Sequence, residues 1–183
     1  MVTAPVFTIG HSTRELAELI RLLQESGVKT LIDVRRYPAS RRHPQFNRDA
    51  LSAALQREGI DYVWSQALGG RRQPRKDSPN TAWRNAGFRG YADYMETQPF
   101  ELAVAGLMET ARATPTAFMC AEQAWQQCHR GLISDYLKAR GWDVRHILGH
   151  GRVEPHPGTA AARFVDGELS YRADDTAQKG LGF

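Results

Sequence analysis

The chain is short of cysteine, of lysine and of long apolar runs, and each shortage removes a class of protein. Two cysteines among 183 residues cannot staple a disulfide scaffold. Both stand near other polar groups, as reduced thiols in a reducing compartment do. No run approaches the roughly 20 apolar residues needed to cross a bilayer. Met1-Val2-Thr3-Ala4-Pro5 lacks the basic start and the apolar stretch of a secretory leader. The expectation is a cytoplasmic protein with no membrane partner. Internal repeats and heptads are missing too, so neither a solenoid nor a coiled coil is expected.

Where lysine is scarce, arginine is abundant, supplying 20 of the 24 basic residues. Its planar fork grips phosphate and carboxylate in bidentate fashion. The net charge of +4 conceals an asymmetry, because 12 Lys/Arg stand against 4 Asp/Glu between Arg35 and Arg89, and 12 against 16 elsewhere. A middle of +8 flanked by −4 points to an anionic partner, either a small molecule or a nucleic acid. A merely solvated surface is the competing reading.

At 42% hydrophobic the chain can fill one core. Val6-Phe7-Thr8-Ile9 reads as a strand, and Ser12 with Glu15 has the form of a capping box. Leu16, Leu19, Ile20 and Leu23 follow at helical spacing up to Gly27. A buried strand spans Val28 to Val34, and Asn47 is placed to cap a helix carrying Leu51, Ala54 and Leu55. Ile60 to Trp64 is a third strand, after which a loop rich in turn formers and cations runs from Ser65 to Gly90. Helical spacing resumes around Tyr91–Met95 and from Phe100 to Ala111, followed by a strand from Thr116 to Cys120. A helix with Leu132, Ile133, Tyr136 and Leu137 leads to a fifth strand, Val144 to Leu148. His150 to Gly158 reads as a connector, and the alternation around Asp166-Gly167 as a hairpin. The expectation is an α/β single domain with a mostly parallel sheet of about five strands, helices on both faces and a C-terminal β-hairpin appendage. Residues 1–150 make up the α/β unit, and 151–183 the connector and hairpin.

In a parallel sheet the carboxyl ends of the strands share one edge, so reactive groups far apart in sequence converge there. Gly10-His11-Ser12 lies where a strand meets a capped helix, with free N–H groups to offer an anion. Asp33 and Arg35 share one face of their strand, as an ion pair or as an anion site with a base. Arg35 opens the stretch Arg35-Arg36-Tyr37-Pro38-Ala39-Ser40-Arg41-Arg42-His43-Pro44, suited to phosphate or nucleic-acid contact. Cys120 and Glu122 share the end of a further strand, and Cys128-His129-Arg130 opens a helix where dipole, imidazole and guanidinium could lower a thiol pKa.

The order strand, cysteine, helix, Gly-Trp-Asp-Val, strand resembles half of a rhodanese. The oxyanion loop of rhodaneses and cysteine phosphatases, however, needs arginine six positions after the cysteine, where this chain has Gln126. Cys120 and Cys128 are eight positions apart, too far for the usual zinc pair. No metal and no cofactor are expected.

Six segments carry a broader likeness: Gly10-His11-Ser12; Asp33-Val34-Arg35; Ser40-Arg41-Arg42 with Pro44-Gln45-Phe46-Asn47; Leu68-Gly69-Gly70-Arg71; Phe88-Arg89-Gly90-Tyr91-Ala92-Asp93-Tyr94-Met95; and Met119-Cys120-Ala121-Glu122 through Cys128-His129-Arg130. Over roughly residues 6–150 the chain resembles the bacterial family called domain of unknown function 488. That resemblance implies a compact α/β domain with a shared polar site and brings no reaction, substrate or cofactor.

The leading expectation is an enzyme acting on a phosphorylated or polyanionic substrate. His11, Asp33, Cys120, Glu122 and His129 are its candidate catalytic groups. Ser12, Arg35, Arg41, Arg42, Arg89, Tyr91, Cys128 and Arg130 are its candidate binding groups. One alternative is a non-catalytic nucleic-acid-binding module that stacks bases on Tyr37, Trp83, Phe88 or Tyr91. Another is a thiol redox or sulfur-transfer protein using Cys120 and Cys128.

Overall fold

A computed structural model describes residues 4–173. Strands β1 (Val6–Gly10), β2 (Thr30–Asp33), β3 (Asp61–Trp64), β4 (Thr116–Cys120), β5 (Val144–Gly149) and β6 (Arg152–Pro155) form one sheet in the order β3-β2-β4-β1-β5-β6. The first five are parallel, and β6 returns antiparallel along β5.

Alternation along the strands divides the core in two. Phe7, Ile9, Leu31, Ala117, Met119 and Ile147 face α1 (Leu16–Glu25) and α2 (Arg48–Arg57), which supply Leu19, Leu23, Leu51 and Leu55. Val6, Ile32, Phe118, Cys120 and Val144 face α3 (Ala86–Tyr94), α4 (Gln98–Ala113) and α5 (Arg130–Ala139), which supply Tyr91, Phe100, Val104, Ile133 and Leu137. Helices thus cover both faces, and β1 and β4, at the middle of the sheet, are buried throughout.

Three local expectations fail, each because a tertiary bond wins. Ser12 and Glu15 form no capping box: Glu15 stands at the N-cap of α1 and its side chain caps nothing. Instead the amides of His11 and Ser12 continue the pairing with β4, donating to Cys120 O (3.0 Å) and Ala121 O (2.9 Å). Asn47 occupies the N-cap of α2, but its side-chain oxygen accepts from Ser40 N (2.6 Å) rather than from the helix. The connector after Gly149 contains β6, entered through Gly151 at φ +65°. Every residue of β6 is exposed, so it carries no hydropathy signal. The sheet therefore continues past residue 150.

The long basic loop is anchored by Asp93 on α3, whose carboxylate accepts from Arg75 N (2.8 Å), Ser78 Oγ (2.6 Å) and Asn80 Nδ2 (2.7 Å). Burial alone would raise Asp93, but the bonds from Ser78, Asn80 and Arg75 hold it below the usual carboxylate range. The C-terminal hairpin pairs β7 (Arg163–Val165) with β8 (Glu168–Ser170). Asp166 and Gly167 at its turn have φ of 51° and 78°, the two left-handed residues of a type I′ turn. Residues 174–183 of the C-terminal segment and Met1-Val2-Thr3 of the N-terminal reading lie outside the described residues.

A buried polar chain ties the C-terminal segment to the sheet. Asp135 on α5 accepts from His156 Nε2 (2.8 Å), Thr159 N (2.8 Å) and Tyr171 OH (2.6 Å). His156 Nδ1 meets His146 Nε2 at 2.8 Å, and His146 Nδ1 meets Thr8 Oγ1 at 2.6 Å. Trp125 stacks flat on the His146 ring, 4.6 Å between centroids. Asp135 and His146 are fully buried, so loss of one acceptor strands several donors away from water. Asp135→Asn is expected to cost about 3 kcal/mol in urea unfolding and to speed amide hydrogen exchange at Thr159 before the β1 and β4 amides respond.

Candidate functional site

The carboxyl ends of β1, β2 and β4 lie side by side, and close packing shapes their edge. A Cβ on Gly10 would stand 1.8 Å from Glu122 O, so only glycine lets the β1 end pass the turn after β4. Ser12 turns the chain at φ 48°, an uncommon conformation for a side-chain-bearing residue. Because the His11 and Ser12 amides are spent on β4, the anion cradle expected at Gly10-His11-Ser12 does not form there. Ser12 Oγ points to Gln123 Oε1 at 3.5 Å.

Asp33 and Arg35 form a buried ion pair. Arg35 donates Nε to Asp33 Oδ1 (2.9 Å) and Nη2 to Oδ2 (2.6 Å), and Nη2 also reaches Phe46 O (2.7 Å). Tyr62 OH gives Asp33 Oδ2 a further bond at 2.5 Å. Asp33 is fully buried with both oxygens engaged, an arrangement that orients Arg35 and leaves no free base. Arg35 Nη1 lies 3.3 Å from His11 Nε2. The carbonyl of Ser12, 2.9 Å from His11 Nδ1, can only accept, so the proton of the neutral ring sits on Nδ1 and Nε2 accepts from Arg35. Burial first, and the Arg35 charge beside it, lower His11 to about 4 despite its bond to Ser12 O. Phe46 stacks on the ring, 4.4 Å between centroids.

On the other face of the sheet the two thiols meet, with Cys120 Sγ and Cys128 Sγ 2.6 Å apart. Both are buried and unbridged. Arg130 N donates to Cys128 Sγ at 3.3 Å, while its guanidinium turns inward to Glu122 O (2.9 Å), Gln123 O (3.0 Å) and Thr8 Oγ1 (3.4 Å). Arg130 is 1% exposed, so it braces the turn and does not reach into solvent for an anion. Burial would raise the Cys128 thiol, but the bond from Cys120 and the charge and amide of Arg130 draw it below its ordinary value. Burial and the neighbouring Cys128 push Cys120 upward. His129 places Nε2 2.9 Å from Val34 O and Nδ1 3.6 Å from Cys128 Sγ. Since Val34 O only accepts, Nε2 carries the proton and the bare Nδ1 faces the thiol. Burial holds His129 neutral by lowering its pKa.

Two neighbouring clefts open on this edge. The larger, about 1080 Å³, gathers His11, Ser12, Arg35, Arg42 and Glu122 among the residues expected from sequence. The smaller, about 170 Å³, reaches Cys120 and His129 and shares Arg35 and Glu122 with the first. Arg41 is exposed beside Arg42. Arg89 donates to Trp83 O and Tyr91 to Leu68 O, so both are committed to the long loop. Sequence reasoning missed Phe46 and Tyr62, which hold His11, Arg35 and Asp33, and also Arg71, Arg152 and Glu154 in the larger cleft. The last two arrive on β6, whose one detectable signal was the Gly149-His150-Gly151 turn. Among the described residues no group of three or more His, Cys, Asp or Glu could hold a metal ion, and no helix is long and apolar enough to cross a membrane.

Fold and site together define an open, mostly parallel α/β domain with a polar site at the carboxyl edge of its sheet. The chain belongs to the family described as Domain of unknown function DUF488, which matches residues 15–137. No curated protein and no solved structure matches it.

The buried imidazoles set the acid limit of the fold. His11, lowered to about 4, and His146, lowered to about 2 by burial and by the charges of His156 and Arg130, stay neutral when folded. Unfolded, each takes a proton near 6.5. The unfolded chain therefore binds more protons below that value, and stability that is complete above 6.5 falls as pH drops toward 4. Thermal melts from pH 7.5 to 4.5 are expected to show this loss, with His11→Asn reducing the slope by about 1.4 kcal/mol per pH unit. Arg130→Met is expected to cost about 3 kcal/mol by orphaning buried carbonyls, and to slow iodoacetamide alkylation of Cys128 at pH 7.

Proposed function

We propose that the protein is an enzyme that binds the phosphates of a nucleotide or nucleic-acid strand in the larger edge cleft. The observation that carries this reading is the convergence of Arg42, Arg71 and Arg152 from three distant segments onto that cleft. Among the described residues none of the three forms an ion pair. Unpaired, exposed guanidinium groups around a concave site are the donors that phosphate oxygens select. Ser12 and Arg71, both at positive φ, line the same cleft, as strained residues at functional sites do. In this reading Arg35, held by Asp33, is a fixed wall with Nη1 on His11, and the exposed Glu122 carboxylate transfers protons.

A specific observation favours the non-catalytic reading as the second. Tyr37 is 59% exposed at the cleft rim, with Arg36 and Arg71 over its ring at 5.6 and 5.8 Å, a platform on which a base could stack. Trp83 and Phe88 instead pack on each other and against the core, and Tyr91 is buried.

Calorimetric titration with ADP and with a short single-stranded oligonucleotide, thiols kept reduced, tests both. Arg42→Ala and Arg152→Ala are each expected to weaken binding about tenfold, and Glu122→Gln to leave binding intact while abolishing turnover of the bound compound. Oligonucleotide affinity that falls steeply with salt and an absence of turnover would favour the binding module. Failure of both probes to bind, or equal affinity in the arginine variants, would overturn the anion site.

A further inference from the structure

The thiol pair is not used by the anion site and has its own opening. We infer that Cys120 and Cys128 are a reversible dithiol–disulfide couple that exchanges, through the narrow cleft over Cys120, with a low-molecular-weight disulfide bearing carboxylates.

Position carries the argument. Cys120 is the last residue of β4, its carbonyl held by the His11 amide, and it points with Phe118 to the face of the sheet covered by α3, α4 and α5. Cys128 follows the 3₁₀ turn Trp125–Gln127, with its amide on Trp125 O (3.3 Å) and its carbonyl holding Gly131 N (3.0 Å). The turn between them is clamped by the two bonds from Arg130 to Glu122 O and Gln123 O. Both thiols are thus fixed from both sides, and their sulfurs, at 2.6 Å, are only about 0.6 Å beyond a disulfide bond length. Closing the bond needs almost no backbone movement, so the reduced pair is already organised for it.

Access and charge name the partner. The 170 Å³ cleft reaches Cys120 between Arg35, Arg36 and Arg71, with Glu122 as the opposing carboxylate, so its mouth favours an anionic reagent. Its inner wall is His129, which approaches Gly70 so closely that a Cβ there would lie 2.9 Å from Nδ1. That nitrogen is the acceptor facing Cys128, and the pull of Arg130 on the Cys128 thiol supports the same proton path.

The chemistry balances with the named disulfide as oxidant. Cys120 passes its proton through Cys128 Sγ to His129 Nδ1 and attacks one sulfur of R–S–S–R as the thiolate; the S–S bond breaks, the leaving RS⁻ takes that proton from His129 as RSH, and Cys120–S–S–R remains. Cys128 then loses its proton to His129 Nδ1 and attacks Cys120 Sγ. The Cys120–SR bond breaks, and the second RS⁻ takes the proton from His129. In total, two thiols and one disulfide become one internal disulfide and two RSH, and an excess of RSH reverses the exchange.

The test equilibrates the intact protein with oxidised glutathione and reads its mass. The expected result is a loss of about 2 Da that reduced glutathione restores. Cys128→Ser, with its fold checked by circular dichroism, is expected to stop at a glutathione adduct on Cys120. The cationic disulfide cystamine is expected to react at least about tenfold more slowly. Two freely alkylated thiols in the wild-type protein after equilibration would overturn the couple without recourse to any variant. An adduct on Cys128 in Cys120→Ser but none on Cys120 in Cys128→Ser would overturn the order of attack, and equal rates with cystamine the class of partner. Nucleotide binding is measured separately with thiols reduced, so failure of the anion site and failure of the couple are distinguishable.

Discussion

The edge depends on one buried guanidinium. Arg130 enters the interior at the start of α5 with no carboxylate partner among the described residues, so its charge is met by the carbonyls of Glu122 and Gln123 and the hydroxyl of Thr8. Taking such a cation out of water costs several kcal/mol unless its surroundings answer it. Two answers are built in. The turn after β4 folds back so that its carbonyls face inward, and Cys128 lies where a negative sulfur would balance the charge. Positioning the turn, lowering one thiol and bringing the sulfurs together are therefore consequences of the same interaction.

A second buried cation is handled differently. Arg35 has Asp33 as a full partner, reinforced by Tyr62 and the carbonyl of Phe46. Its remaining edge faces a neutral His11. The charge of Arg35 is thus internally balanced, while among the described residues those at the cleft rim, Arg42, Arg71 and Arg152, have no protein carboxylate bonded to them. This separation gives the site a rigid floor and a positive mouth.

The fold was legible because burial on both faces leaves a direct trace. Val6-Phe7-Thr8-Ile9 and Thr116-Ala117-Phe118-Met119-Cys120 read as strands since β1 and β4 lie in the middle of the sheet, where nearly every side chain is apolar. β6 was not legible, because an exposed edge strand needs no apolar residue to pair. The caps failed for a related reason. Ser12 and Asn47 carry the correct chemistry for helix starts, but competing partners from β4 and Ser40 are decided by the packed molecule.

Of the site, the sequence alone determined the residue types and the edge: strands that end in His, Asp-Val-Arg and Cys place those groups at one rim whenever the sheet is parallel, because strand direction is common to them all. Only the tertiary structure decided which groups are spent and which remain available. Arg130 and Asp33 look as reactive in the sequence as Arg42 and Glu122, and the difference lies in partners 7 to 122 residues away for the Arg130 guanidinium and 29 for the Tyr62 bond to Asp33. Hydrogen bonds at such separations follow from how the layers pack, and local residue chemistry carries no record of them.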